Sequence, residues 1–149
     1  MIAQRSRQRG QALVELGIVI VLIVTLAMGI IEFGRAFMII NMITNAAREG
    51  ARVASVMQAS ARDANNCITA ASKTTISNMV IAQVANVSST SGITVNTTQT
   101  CTGTIPIVTV AVSGTVNYLF GLPGLGSGIN FNRGITFGDE GRPSCAPTC

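Results

Sequence analysis

The feature that most constrains this chain is an uncharged, largely apolar run from Leu16 to Ile31, directly preceded by one acid, Glu15. As a helix the run rises about 24 Å, and Gln11–Glu15 extends it to about 31 Å, the thickness of a bilayer's hydrocarbon core. No proline lies between Gln11 and Ala61, so nothing in the segment breaks a continuous helix. A carboxylate in such a setting costs on the order of 2.5–3.5 kcal/mol at a bilayer centre and less towards an end. It calls for compensation. Upstream lie Arg5, Arg7 and Arg9, closed by Gly10. A cut after Gly10 makes Gln11 the new amino terminus and Glu15 the fifth residue. A free ammonium on a neighbouring copy is then a natural partner for that glutamate.

The length, 149 residues, suits one domain plus an anchor. Charged residues make up only 11%, far below the roughly 25% usual in soluble domains, and the apolar N-terminal part accounts for much of that skew. The net charge of +4 includes the three leader arginines, so without residues 1–10 seven basic side chains face six acidic ones, a net +1. A basic face for nucleic acid is not evident, and no nucleic-acid partner is expected. Histidine is absent, which excludes histidine-based catalysis and histidine metal sites. The leader arginines are expected to stay cytoplasmic, while Glu32 and Arg35 on the other flank cancel. The expected organisation is a cytoplasmic leader (1–10), a long helix (11–61) whose membrane segment is about 11–31, and an extracytoplasmic α+β domain (62–149).

Beyond Ile31 the helix turns amphipathic: Phe37, Ile40, Ile43, Ala47, Ala51 and Ala54 follow helical spacing. Glu32 with Arg35 and Glu49 with Arg52 are three apart, and Arg48 with Arg52 four apart. Such charges serve either as ordinary helix-surface pairs or, between packed copies, to set register. Gly17, Gly29, Gly34 and Gly50 weaken the helix or permit close helix approach; the spacing does not choose. Asp63-Ala64-Asn65-Asn66 supplies turn and N-cap chemistry, and a second helix is expected from about Asn66 to Val87, with Ile68, Ser72, Ile76, Met79, Val80 and Val84 on one stripe. Strand signals follow at Ile93–Thr98, Ile105–Val116 and Ile129–Phe137, with Pro106 suited to a strand start. Tyr118–Gly128 reads as a Gly- and Leu-rich loop. The expected fold is α+β: a long membrane-spanning helix, a second helix and a small antiparallel sheet.

Cys67, Cys101, Cys145 and Cys149 all lie beyond the membrane segment, on the side expected to be oxidising. Three connectivities are possible; loop closure favours Cys67–Cys101 with Cys145–Cys149. The spacings do not suit structural zinc, and no cofactor is expected.

The segment Arg9-Gly10-Gln11-Ala12-Leu13-Val14-Glu15, followed by Glu32-Phe33-Gly34-Arg35 and Ala46-Ala47-Arg48-Glu49-Gly50-Ala51-Arg52, resembles TadE-like proteins, minor pilins or pseudopilins of the tight adherence (Flp-type) pilus. The likeness is close over about residues 9–56. It is looser over Val108–Val112, Leu119–Leu125 and Ile135–Phe137. The resemblance implies prepilin-peptidase cleavage after Gly10, before Gln11, and pairing of Glu15 with a subunit's terminal amine during assembly. It implies as partners that peptidase, other pilin subunits, the pilus assembly platform and membrane lipid, and as location the bacterial inner membrane or a pilus. Gln11 departs from the aromatic or apolar first residue of many type IV pilins.

Two rival readings share much of this pattern. A signal peptide cut after Ala27 would release a secreted protein, but Glu15 at the basic–apolar junction and the helix signal running past the site oppose it. An uncleaved single-pass anchor with an extracytoplasmic binding domain accounts for all but the Gly10–Glu15 arrangement. Catalysis is not expected. Asp139 and Glu140 sit in a Gly-rich stretch that reads as a solvated turn, and Gly121, Gly124, Gly126 and Gly128 lack the lysine of a phosphate loop.

Overall fold

The computed structural model describes residues 3–85, 89–120, 126–145 and 149, with side chains from Gly10 onward. The chain divides into two compact units, residues 1–36 and 37–149. Helix α1 runs Ala3–Ser55, a 3-10 turn occupies Ala59–Ala61, and α2 spans Ala70–Ala85. Three strands follow, β1 (Thr90–Thr102), β2 (Ile105–Asn117) and β3 (Gly128–Gly138), forming an antiparallel sheet in the order β1-β2-β3. The α+β architecture expected from the sequence is the one observed. Helix α1 ends at Ser55 rather than near Ala61, and the strands extend further than their strongest propensity signals.

In the first unit every described side chain from Gln11 to Ala27 is exposed. The second unit holds the core. Alternation in β2 places Val108, Val110, Val112 and Val116 on the inner face, each at most 1% exposed. β-branched side chains suit that half-buried pleated surface. Register puts Val95, Thr97 and Gln99 of β1 and Phe131, Ile135 and Phe137 of β3 on the same face. Its covering stripe on α1 is Ile39, Ile43, Ala46, Ala47, Ala51 and Ala54, joined by Ile76, Val80 and Val84 of α2. Phe37 corrects the expected stripe: it is 61% exposed, and Ile39, not Ile40, is the buried isoleucine beside it. Small alanines carry the contact, so the bulkiest side chain is a poor guide to the buried face.

Gly50 is required by this packing. A Cβ there would stand 2.6 Å from Val80 Cγ2 and 3.5 Å from Val110 Cγ1, and Val80 is fully buried with nowhere to move. Alanine regains about 1 kcal/mol of helix propensity but incurs about 1–3 kcal/mol of overpacking. Gly50→Ala is therefore expected to lose up to about 2 kcal/mol in a urea titration of the full chain; greater stability than the wild type would show that the helix can shift instead. Gly10, Gly17, Gly29 and Gly34 have open space where a Cβ would be.

Helix α2 begins at Ala70, not Asn66, for local reasons. Asp63 Oδ1 accepts the N–H groups of Asn65 (2.8 Å) and Cys67 (3.0 Å), making the expected turn. Asn66 then takes φ 59°, a left-handed conformation that stops a helix from starting there. The cap falls instead to Thr69, whose hydroxyl accepts the Ser72 N–H at 3.2 Å. The far end is Ala85; residues 86–88, into which the expected helix ran, lie outside the described residues. So do 121–125, most of the apolar Leu119–Pro123 stretch.

The disulfides also correct expectation: they are Cys67–Cys149 and Cys101–Cys145, with Cα separations of 5.6 and 6.0 Å. Register explains why. The Asp139 N–H donates to Pro106 O (2.9 Å), and Pro106 is the cross-strand neighbour of Cys101. The segment after β3 thus starts beside the end of the β1–β2 hairpin, within reach of Cys101. Cys67 lies one residue before Ile68, whose N–H donates to Gln99 Oε1 of β1 at 2.7 Å. Tertiary placement overrides the preference for short loops.

Candidate functional site

Two groups of residues stand out. The first is on the exposed part of α1. Gly10, Gln11 and Glu15 are all exposed helical residues, and Glu15 is surrounded by Leu13, Val14, Leu16 and Ile18, each more than half exposed. No hydrogen bond or ion pair among the described residues engages the Glu15 carboxylate. Among the described residues, one helical stretch, Gly10–Ser55, is long and apolar enough to cross a membrane, and its most apolar window is unburied. An unpaired carboxylate on such a surface favours whatever supplies it with a cation.

Further along α1 the expected charge pairs are present but differ in kind. Arg35 Nη2 donates to Glu32 Oε1 at 2.5 Å, and both side chains are largely buried. Arg52 Nε donates to Glu49 Oε2 at 3.3 Å in an exposed pair, of the sort that adds little stability. Arg48 donates weakly to Asn45 Oδ1 at 3.5 Å rather than joining Glu49.

The second group was not foreseen. Asp139 is 3% exposed rather than solvated, and its carboxylate receives Arg62 Nη2 (2.5 Å), Arg62 Nη1 (3.2 Å) and Gln99 Nε2 (2.6 Å). Arg62 also donates to the carbonyls of Met57 (3.1 Å) and Asn66 (2.8 Å). A Cβ on Gly141 would fall 2.5–2.6 Å from the guanidinium, so only glycine lets the chain lie across it. One arginine thereby joins the exit of α1, the 62–68 turn, β1 and the segment after β3. The two disulfides tie the 62–68 turn and the end of β1 to the segment after β3, reinforcing the same junction.

These features define a class: an α+β domain stapled by two disulfides, in a chain whose N-terminal helix is long and apolar enough to span a membrane. Residues 10–52 match the family model described as TadE-like protein. The expected resemblance is thus borne out over that segment, which begins at Gly10 and includes Glu15, Glu32, Arg35, Arg48, Glu49 and Arg52; the strand region lies beyond it. No curated protein and no solved structure matches the chain.

Proposed function

We infer that this chain is a minor pilin or pseudopilin precursor of a Tad (Flp-type) pilus, a non-catalytic subunit acting in pilus assembly or surface adherence. The observation that carries the reading is the TadE-like segment beginning at Gly10 together with Glu15, unpartnered among the described residues, on an exposed apolar helix. In this reading a prepilin peptidase cuts between Gly10 and Gln11, and the leader arginines keep the N-terminus cytoplasmic. The helix holds the subunit in the inner membrane with the disulfide-bonded domain outside. During assembly Glu15 accepts the terminal ammonium of another subunit. Transfer from lipid to a filament exchanges one apolar setting for another, so helix packing and this charge pair supply the preference.

Intact mass and terminal sequencing of the membrane-extracted protein test the processing step. A chain beginning at Gln11 supports it; one retaining residues 1–10 favours a plain single-pass anchor, and one beginning at Met28 a secreted protein. Gly10→Ala is expected to reduce processing sharply. Glu15→Ala is expected to spare cleavage yet impair incorporation into pili, measured by immunoblot of sheared filaments. Normal incorporation of the Glu15 variant would remove the pairing role.

A further inference from the structure

Strand β3 lies at an edge of the sheet and, among the described residues, pairs with β2 alone. Its hydrogen-bond phase follows from the bonds at its two ends. The Tyr118 N–H donates to Ser127 O (3.1 Å) and the Asp139 N–H to Pro106 O (2.9 Å), each between directly facing residues. In an antiparallel pair such bonded facing residues recur at every second position. The odd-numbered residues of β3 therefore direct their backbone groups to β2. The even-numbered Asn130, Asn132, Gly134 and Thr136 turn theirs to the open edge, where no element among the described residues meets them. On the side chains' part, Phe131, Arg133 and Ile135 share the core side of the sheet, in register with Gly114, Val112 and Val110. Phe131 is buried and Ile135 half-buried, but Arg133 between them is exposed. No hydrogen bond or ion pair among the described residues engages its guanidinium. An open edge of this kind is a template for one more strand.

We propose that the β3 edge takes up an extended segment of a different protein as a fourth, antiparallel strand, one that carries a carboxylate between two apolar residues at alternate positions. The residue opposite Arg133 then belongs to a non-hydrogen-bonded pair, in which Cα atoms approach to about 4.5 Å and side chains touch. A carboxylate there receives the guanidinium, and the flanking apolar residues cover Phe131 and Ile135. A second copy of the chain does not fit. β3 spans Gly128–Gly138, so two copies paired antiparallel over their full length set Arg133 against Arg133, a like-charge contact that opposes association. None of the three strands contains an Asp or Glu to face it in another register. The other edge strand, β1, has no charged residue and offers no such selection. Neither Glu15 nor the apolar helix takes part, so the surface is independent of pilus processing.

Amide hydrogen exchange on the 15N-labelled full-length protein in detergent reads the edge residue by residue. The probes are two synthetic peptides, acetyl-Thr-Val-Thr-Glu-Thr-Val-Thr-amide and its counterpart with Lys in place of Glu. The glutamate peptide is expected to slow exchange at Asn132 and Gly134, saturably in the millimolar range. It should leave the Arg133 amide, which already faces β2, unchanged. It is expected to bind at least about threefold more tightly than the lysine peptide, and Arg133→Glu is expected to reverse that preference. Asn132→Pro removes one edge-facing N–H and no bond to β2, so it should keep the wild-type Tm yet abolish the peptide's protection. No added protection at millimolar peptide, equal affinity for the two peptides, or an unchanged preference in Arg133→Glu would overturn the proposal. Protection of the same amides that rises with protein concentration alone would overturn it in favour of a second copy.

Discussion

Asp139→Ala is expected to destabilise the 37–149 unit by about 3–5 kcal/mol, the range for removing one member of a buried ion pair. The side chains of Arg62 and Asp139 are 1% and 0% exposed, so water cannot replace the missing carboxylate. The substitution leaves the guanidinium with backbone carbonyls alone and deprives Gln99 Nε2 of its acceptor at 2.6 Å. Asp139→Asn, which preserves shape and one acceptor, is expected to cost less. Urea titration of the oxidised full chain, followed by far-UV circular dichroism, measures both. A loss below about 1 kcal/mol for the alanine variant would mean that the Arg62 carbonyl contacts suffice. Hydrogen exchange adds a local reading, because the Asp139 and Arg142 amides should lose protection first as the segment detaches from Arg62.

Removing the Cys67–Cys149 bridge, by the paired change of both residues to serine, is the other large expected effect. Its partners are separated by 82 residues, for which loop-closure entropy gives about 4.5 kcal/mol, within a general range of about 0–5. For a unit of this size the loss corresponds to roughly 10–20 °C in Tm. The Cys101–Cys145 bridge spans 44 residues and is expected to matter slightly less, since loop entropy grows only logarithmically. Thermal scans of the two paired-serine variants check the order. If both retained the wild-type Tm, the Arg62 cluster alone would hold the junction.

The parts of this fold that were legible in sequence are those encoded by local repetition. The Leu16–Ile31 run and the Val108-Val110-Val112 alternation announce a helix and a strand within a dozen residues. The stripe Ile76, Val80 and Val84 likewise gives the buried face of α2. The face of α1 is harder to read: Ala36, Ala46 and Ala54 are buried while Phe37 is exposed, and alanine carries too weak an apolar signal to outvote phenylalanine. The Arg62–Asp139 pair is invisible locally, because its members are 77 residues apart and the Gly-rich surroundings of Asp139 suggest a solvated turn. A glycine placed two residues after Asp139 was the available clue, since it lets the backbone lie flat on a guanidinium. For the cysteines, loop length gave a preference that strand register reversed. Gly10, Gln11 and Glu15 needed no tertiary information, because their pattern lies within six consecutive positions of one helix.

The nested connectivity carries a consequence for order in time. A chain delivered N-terminus first presents Cys67 and Cys101 to an oxidant well before Cys145 or Cys149 emerges. The two early thiols can then react only with each other, and the native map contains no such bond. Maturation therefore requires either that oxidation wait for the rest of the chain or that a premature Cys67–Cys101 link be exchanged by thiolate attack. The rate at which native chains accumulate would then track the supply of thiol–disulfide exchange.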